Sequence, residues 1–133
     1  MKTFRQNLGA LGEKIALNYL LKQGYQFLES NYQTKGGEVD IIVARNKRRL
    51  FSKIYELVFV EVKTFQKRDN QIPFLPEDNV HYQKRERLIK TAQSFLKERG
   101  YPLDILWRID VISVRIDLRR RKADIKHIQN AVY

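Results

Sequence analysis

Two charged residues that interrupt an apolar strand are the first sign of chemistry in this sequence. Glu61 and Lys63 lie within residues 57 to 64, and their two-residue spacing points both side chains to the same face of a strand. Charged groups beside a core are tolerated when they pair, hold a cation or do chemistry, because burying an unpaired charge is costly. The alternative is a half-exposed sheet face that carries a simple Glu–Lys ion pair.

Asp40 favours the chemical interpretation. It lies in a second apolar segment, residues 38 to 44, one predicted hairpin before Glu61. If the two strands are neighbours, the carboxylates of Asp40 and Glu61 converge, and carboxylate oxygens are natural ligands of Mg²⁺ or Mn²⁺. Such an ion activates water and neutralises charge on a phosphate, while Lys63 orients that water or stabilises the transition state. The three residues therefore predict metal-dependent hydrolysis of phosphodiester bonds.

The first helix, predicted for residues 4 to 23 and ended by Gly24, supplies a further acid. Glu13 shares one side of this helix with the small residues Gly9 and Ala16, which would let the helix approach the sheet closely. Glu13 would then reach the metal or a metal-bound water. The alternative is a surface acid beside an Arg or Lys, since helix edges often carry glutamate.

The second helix is predicted for about residues 77 to 99, after the prolines at 73 and 76. Lys84 lies four residues after Val80 and four before Leu88, on or beside the buried stripe, so its ammonium could reach the site. A lysine that snorkels at the margin of the stripe is the alternative. Arg87 is a weaker candidate for substrate contact.

The remaining elements describe an α/β fold, a small mixed sheet flanked by helices. Strands are predicted at 25–32, 38–44, 57–64 and 106–116, with a last short strand at 125–132. Val39, Ile41 and Val43 give the second of these one apolar face, and the acids occupy the other. Residues 45–49 form a basic connection, and 119–122 a basic run before the last strand.

Composition restricts the class of protein. The 133 residues, 43% of them hydrophobic, fit one domain spanning 1–133, and a formal net charge of +11 favours a polyanionic partner, first of all nucleic acid. An anionic membrane ranks second, because the basic residues do not line one amphipathic helix. The absence of cysteine excludes disulfides, thiolate zinc sites and a cysteine nucleophile. Without a signal-peptide or membrane-spanning pattern, a cytoplasmic protein with no membrane association is expected.

Other polar residues have structural interpretations. Asp110 lies between apolar neighbours in the strand at 106–116, but Arg108 shares its face and gives it a local partner. His81 and His127 have no spacing typical of a metal pair, so each is interpreted as a surface or packing histidine.

The motifs resemble those of YraN-type proteins over nearly the whole chain. The shared residues are Gly12-Glu13 with Ala16, Gly37-Glu38-Val39-Asp40, Phe59-Val60-Glu61-Val62-Lys63, Lys84, Arg87-Leu88 with Ala92, Arg108-Ile109-Asp110-Val111, and the segment 125–131. That family is similar to Holliday-junction resolvases and other nucleases of the PD-(D/E)XK superfamily. Two departures are the basic stretch between Ala44 and Leu57, interpreted as an insertion, and Gln33, where arginine is common.

The resemblance implies a restriction-endonuclease-like αβββαβ core and a nuclease site. Asp40 and Glu61 would be metal ligands, and Glu13, Asp40, Glu61 and Lys63 the catalytic set. Resolvases act as dimers, so a homodimer is implied as well. Contacts to nucleic acid are predicted for five basic residues, Lys84, Arg87, Arg45, Lys47 and Arg48.

Three functions compete at this point. The first is a metal-dependent endonuclease that cuts DNA, including branched or structured DNA. The second is a module with the nuclease fold that binds DNA or RNA without cutting it, which predicts affinity that falls steeply with salt. The third is an assembly factor whose basic surface meets an acidic protein.

Overall fold

Two helices cover opposite faces of one five-stranded sheet in the computed structural model, which describes residues 2–49, 52–67 and 82–131. The elements follow the order of the predicted αβββαβ core, with one strand added at the end. They are α1 (Phe4–Lys22), β1 (Gln26–Thr34), β2 (Gly37–Arg49), β3 (Ser52–Gln66), α2 (Tyr82–Glu98), β4 (Leu106–Asp117) and β5 (Lys122–Ile128).

The sheet is mixed, and its strands lie in the order β1-β2-β3-β4-β5. Neighbouring strands are antiparallel except β3 and β4, which run parallel. A parallel pair needs a crossover connection, and α2 lies within the connection that joins these two strands. The central strand β3 packs against α1 on one face and against α2 on the other.

Alternate residues of the sheet feed two separate cores. Phe59 packs in the cluster that holds Leu88 and Phe95 of α2, whereas its neighbours Val58 and Val60 pack in the cluster that holds Ala16 and Leu20 of α1. A sheet buried on both faces favours strands that are apolar at every position. Polar residues at such positions, including Asp40, Glu61 and Asp110, are therefore exceptional.

The prediction that residues 38 to 44 have a single apolar face is wrong. Val39 packs in the α2-side cluster, whereas Ile41 and Val43 pack in the α1-side cluster. Both faces of β2 are apolar because both are covered by a helix. The simple alternation of side chains is broken between Val39 and Ile41, which is where Asp40 lies.

The predicted basic connection at residues 45–49 is also wrong. Arg45 pairs with Glu56 and Arg49 with Ser52, so these basic residues extend β2 in a long hairpin with β3. Antiparallel pairing is made by backbone N–H and C=O groups and does not require apolar side chains, so the charge of this segment hid the strand. The last strand is displaced too, since β5 spans Lys122–Ile128 and not 125–132.

The second helix is described from Tyr82 onward. The predicted start near residue 77, and with it Val80 and His81, lies outside the described residues, as does Val132. The predicted end near Arg99 is confirmed, because α2 ends at Glu98 and Gly100 follows with a φ of 72°.

Gly12 and not Gly9 sets the close approach of α1 to the sheet. A Cβ at Gly12 would lie 1.9 Å from Thr64 Oγ1 and 2.8 Å from Thr64 Cβ, whereas a Cβ at Gly9 would meet nothing within 4 Å. We expect Gly12→Ala to lower the free energy of unfolding by about 1–3 kcal/mol or more, because an overpacked contact forces the helix and β3 apart. Urea denaturation measures this change.

Gly9→Ala is the matched control in the same helix. With open space for the methyl group, it should raise the free energy of unfolding by about 0.5–1 kcal/mol, since alanine loses less conformational entropy in a helix. Equal effects of the two substitutions would contradict the contact between Gly12 and Thr64.

Candidate active site

The candidate site lies in a fork where β2 and β3 separate. The β2–β3 ladder runs from Arg49 and Ser52 only as far as the pair Ile41 and Val60. Beyond that pair, β2 continues in register with β1 alone, and β3 continues in register with β4 alone. Asp40 is the next residue on one branch of the fork and Glu61 the next on the other, so the two acids face each other across it.

At the start of the fork, the side chain of Asp40 takes the place of the backbone hydrogen bond between the two strands. Its Oδ2 accepts a hydrogen bond from the backbone N–H of Val62 at 2.7 Å, in the position where a β2 carbonyl would otherwise pair. The residue is only 9% exposed. The carboxylate is thus fixed against the backbone of β3, between Glu61 and Lys63 in sequence.

Glu61 is held by two lysines. Its Oε1 lies 2.6 Å from Lys84 Nζ and 3.7 Å from Lys63 Nζ. Lys63 comes from the same strand, and Lys84 comes from α2, so the second helix brings this lysine to Glu61. The carboxylate of Glu61 is 9% exposed, so both ion pairs are shielded from water on one side.

Glu13 reaches the site from α1. The contact of Gly12 with Thr64 brings this turn of the helix against β3, and the charges of Glu38 and Glu61 act on Glu13. Burial and then these two acids raise the pKa of Glu13 above its ordinary value. Glu13 is therefore part of the acidic cluster and not an isolated surface acid.

Glu38 is a fourth acid that the sequence interpretation did not single out. It contributes to the raised pKa of both Glu13 and Asp40, and its Oε2 accepts a hydrogen bond from Gln33 Nε2 at 3.2 Å. Its position two residues before Asp40, at the mouth of the predicted hairpin, is the sequence signal that could have indicated it.

The charges of the cluster oppose the ionisation of Asp40. Burial first, and then the neighbouring charge of Glu61, raise the pKa of Asp40 to about 7, although the hydrogen bond from Val62 works in the other direction. A carboxyl with this pKa is half protonated near neutral pH. The site therefore carries an unfavourable negative charge that a bound cation would relieve.

The two lysines respond in opposite directions. Burial, together with the nearby ammonium of Lys84, lowers the pKa of Lys63. Burial also works against the charge of Lys84, but its hydrogen bonds to Glu61 and Lys63, together with the charges of Glu61 and Asp40, outweigh this effect and raise its pKa. Of the two ammonium groups, Lys63 is the one that loses its proton more readily.

A cavity of about 250 Å³ opens beside Glu61. Residues of β2, β3 and α2 line it: Gly37, Glu38, Glu61, Lys84, Arg87 and Leu88. Gly37 packs so tightly on α2 that a Cβ there would lie 2.9 Å from Thr91 Oγ1, which fixes the β1–β2 turn against the helix. The cavity is thus lined by Glu38 and Glu61 from the strands and by Lys84 and Arg87 from α2.

Few carboxylates lie close enough to one another to be ligands of the same metal ion. In residues 2–49, 52–67 and 82–131, no group of three or more Asp, Glu or His side chains is close enough together to hold a metal ion. The candidate ligands are the two facing acids, Asp40 and Glu61. Two carboxylates match the preference of Mg²⁺, which keeps several waters and accepts phosphate oxygens as further ligands.

Three predicted nucleic-acid contacts lie away from this cluster. Arg45 forms an ion pair with Glu56 through its Nε at 3.1 Å, and its guanidinium lies over the ring of Tyr25. It is five residues along β2 from Asp40, a separation of about 17 Å. Lys47 and Arg48 lie further along the same hairpin, paired with Ile54 and Lys53. Their contact with nucleic acid stays a prediction.

The structural interpretation of Asp110 is confirmed. Arg108 Nε donates to Asp110 Oδ1 at 2.9 Å, and His127 Nε2 lies 2.7 Å from Asp110 Oδ2. Tyr19 of α1 completes this buried network through its hydroxyl, 3.0 Å from His127 Nδ1. His127 is accordingly a packing histidine.

Within the described part of the chain, neither helix combines the length and apolar character needed to cross a membrane.

Comparison with known proteins places these motifs in a family. Residues 12–114 match the model of "Uncharacterised protein family UPF0102". Among similar proteins, a UPF0102 protein of Roseiflexus castenholzii is 34% identical over 96% of this chain and 94% of its own length. One from Desulforamulus reducens is 36% identical over 99% of this chain and 100% of its own length.

A solved structure also shows similarity. The MspJI restriction endonuclease in complex with a 27-mer oligonucleotide is 16% identical, with a TM-score of 0.31. The match covers 74% of this chain but 25% of that one, so the protein spans about a quarter of the length of that endonuclease.

The raised pKa of Asp40 has a consequence for stability. Its ordinary pKa is 3.8 and its pKa in the folded protein is about 7, so folding becomes less favourable as pH rises between these values and is level above them. Asp40→Asn removes the charge and keeps an oxygen for the Val62 N–H. We expect it to raise the free energy of unfolding at pH 8 by about 1–4 kcal/mol, with a smaller gain at pH 5.

Denaturation in the presence of a chelator, at both pH values, measures this difference. The control is the same substitution at Asp104, which is exposed in the connection before β4. An Asp40→Asn variant whose gain does not depend on pH would contradict the electrostatic description of the site.

Proposed function

The chain belongs to the uncharacterised protein family UPF0102, the YraN family that its motifs predict, and we propose that it is a metal-dependent endonuclease that hydrolyses phosphodiester bonds in DNA. The observation that carries the proposal is the fork, where Asp40 and Glu61 face each other beside the ammonium groups of Lys63 and Lys84. Two buried acids of like charge are stable together when a cation lies between them or a proton is held there.

The residues present fit a divalent cation. Asp40 and Glu61 would hold Mg²⁺ or Mn²⁺, since both are hard carboxylate donors with their charges directed into the same fork. When bound, the ion would supply an activated water and neutralise charge on the phosphate that is attacked. Burial and then the charge of Glu61 raise the pKa of Asp40, and a bound cation would stabilise its ionised form against both effects.

The side chains around the fork have separable roles. Lys63, whose pKa is lowered by burial and by Lys84, would orient the attacking water and share its proton, because an amine that loses charge readily can accept a hydrogen bond. Glu13 would hold the same water from the side of α1. Lys84 and Arg87 would bind phosphate oxygens from the side of α2.

Substrate and assembly follow from charge and family. A formal net charge of +11 favours DNA over any neutral ligand. Branched or structured DNA is the proposed class, because the motifs resemble those of resolvases, and a homodimer would match the two symmetric cuts that a four-way junction requires. A cytoplasmic location is part of the same proposal.

A non-catalytic DNA- or RNA-binding module with the same fold is the second candidate. The favouring observation is that Glu61 already has an ammonium partner at 2.6 Å, so its charge is balanced without an ion. Asp40 argues for the enzyme instead, because in the described structure it has acidic neighbours and a single backbone donor.

The nuclease assay compares purified wild type with Asp40→Asn, Glu61→Gln and Lys63→Met on linear, nicked, flapped and four-way DNA with Mg²⁺ or Mn²⁺. Each substitution should lower the cleavage rate by about 100-fold or more, since each removes a group that acts on the developing charge. Lys90→Met, exposed on α2, is the control prepared in parallel. Equal cleavage activity in the three site variants and in the Lys90→Met control would identify a contaminating nuclease. If wild type cleaves none of these substrates, the non-catalytic binding module is the function that remains.

Ion binding should depend on pH. A cation displaces the proton from Asp40, whose pKa is about 7, so the affinity for Mn²⁺ should rise about 10-fold between pH 6 and pH 8 and level off above that. Calorimetry in two buffers with different ionisation enthalpies measures the affinity and the released proton together. Binding that is equally tight at pH 6 and 8 would contradict Asp40 as a ligand.

A further inference from the structure

Lys84 stands between two sites. Its ammonium lies 2.6 Å from Glu61 Oε1, and it also lines the cavity of about 250 Å³ beside that residue. The side chain of Lys84 is 37% exposed, whereas that of Glu61 is 9% exposed. An ion in the fork would compete with Lys84 for Glu61, and a ligand in the cavity would compete with Glu61 for Lys84.

The cavity has the chemistry of an anion site. Arg87 shares its wall with Lys84, one helical turn away in α2, and in the described part of the chain the guanidinium of Arg87 has no ion-pair partner. Two cations on one wall above Leu88 suit a phosphate group. The negative charge of Glu38 on the other wall repels an anion. An anion would therefore need the full positive charge of Lys84, which must first be released from its ion pair with Glu61.

We propose that this cavity binds a phosphate of the nucleic acid and that Lys84 couples the cavity to the ion site. When the ion binds, Lys84 breaks its ion pair with Glu61 and binds the phosphate instead. The inference rests on the proposed function, because it takes Glu61 as a metal ligand. Coupling of this kind is reciprocal, so the phosphate raises the affinity for the ion by the same factor by which the ion raises the affinity for the phosphate. Ion and substrate then enter the site together.

The first arm of the test removes the competitor for Glu61. Calorimetry with Ca²⁺ alone, at pH 8, should show Lys84→Met binding the ion about 3- to 30-fold more tightly than wild type, because Glu61 no longer has to leave an ammonium partner. Arg87→Met is the control, since it removes a charge from the same wall but no partner of Glu61. Its affinity for Ca²⁺ alone should stay close to that of wild type.

The second arm runs without any ion. Glu61→Gln releases Lys84, so inorganic phosphate should bind this variant about 3- to 30-fold more tightly than wild type. Glu38→Gln, which removes a charge from the cavity but no ion pair with Lys84, should give a clearly smaller gain. A short DNA oligonucleotide in place of phosphate distinguishes a site for the nucleic-acid backbone, which then binds more tightly than phosphate, from a site for free phosphate.

The outcomes separate the two proposals. If wild type binds Ca²⁺ and Lys84→Met binds it no more tightly, the coupling is overturned while the metal site stands. If Arg87→Met gains as much as Lys84→Met, the effect is general electrostatics and the coupling is again overturned. If wild type binds no divalent ion, the proposed function and the coupling both fail. Lys84→Gln, with circular dichroism of each variant, guards against a loss of folding.

Discussion

The placement of a buried carboxylate where two strands of the sheet separate is the constraint on which the site depends. The β2–β3 ladder stops at Ile41 and Val60, and the Asp40 side chain takes the N–H of Val62 that the ladder leaves unpaired. This hydrogen bond keeps the backbone satisfied, but it holds a negative charge beside Glu61 in a region that water scarcely reaches. The ammonium groups of Lys63 and Lys84 pair with Glu61, whereas the hydrogen-bond donor to Asp40 in the described structure is the Val62 N–H.

Both helices approach this point through a glycine that directly precedes an acid. Gly12 lies against Thr64 and is followed by Glu13, and Gly37 lies against Thr91 and is followed by Glu38. At each position a side chain would separate the helix from the strand or turn that it contacts. The two Gly-Glu pairs thus have one physical explanation, in which the glycine sets the distance and the next residue directs a carboxylate into the space so defined.

The sequence predicts the facing acids but not the shape of the fork. Asp40 and Glu61 could be predicted because charges in apolar strands one hairpin apart can lie beside each other when the strands pair. The placement of Val39 and Ile41 on opposite faces of the sheet could not be predicted, because a break in alternation does not change the residue pattern of a segment that is apolar on both faces. The strand at residues 45–49 was not predicted because its side chains are mostly basic and lack the apolar pattern of a strand. Between Gly9 and Gly12, only the position of Thr64 decides which glycine makes the contact.

Asp110 shows why the state of Asp40 is informative. Both aspartates are buried between apolar neighbours in strands of the same sheet. Burial works to raise the pKa of Asp110, but hydrogen bonds from His127, Arg108 and the Asn130 N–H hold it below its ordinary value. Burial and the charge of Glu61 raise the pKa of Asp40, and the one backbone hydrogen bond from Val62 does not offset them. An acid with a full set of donors stabilises the fold, whereas one left short of donors makes folding less favourable, which is typical of carboxylates in binding and catalytic sites.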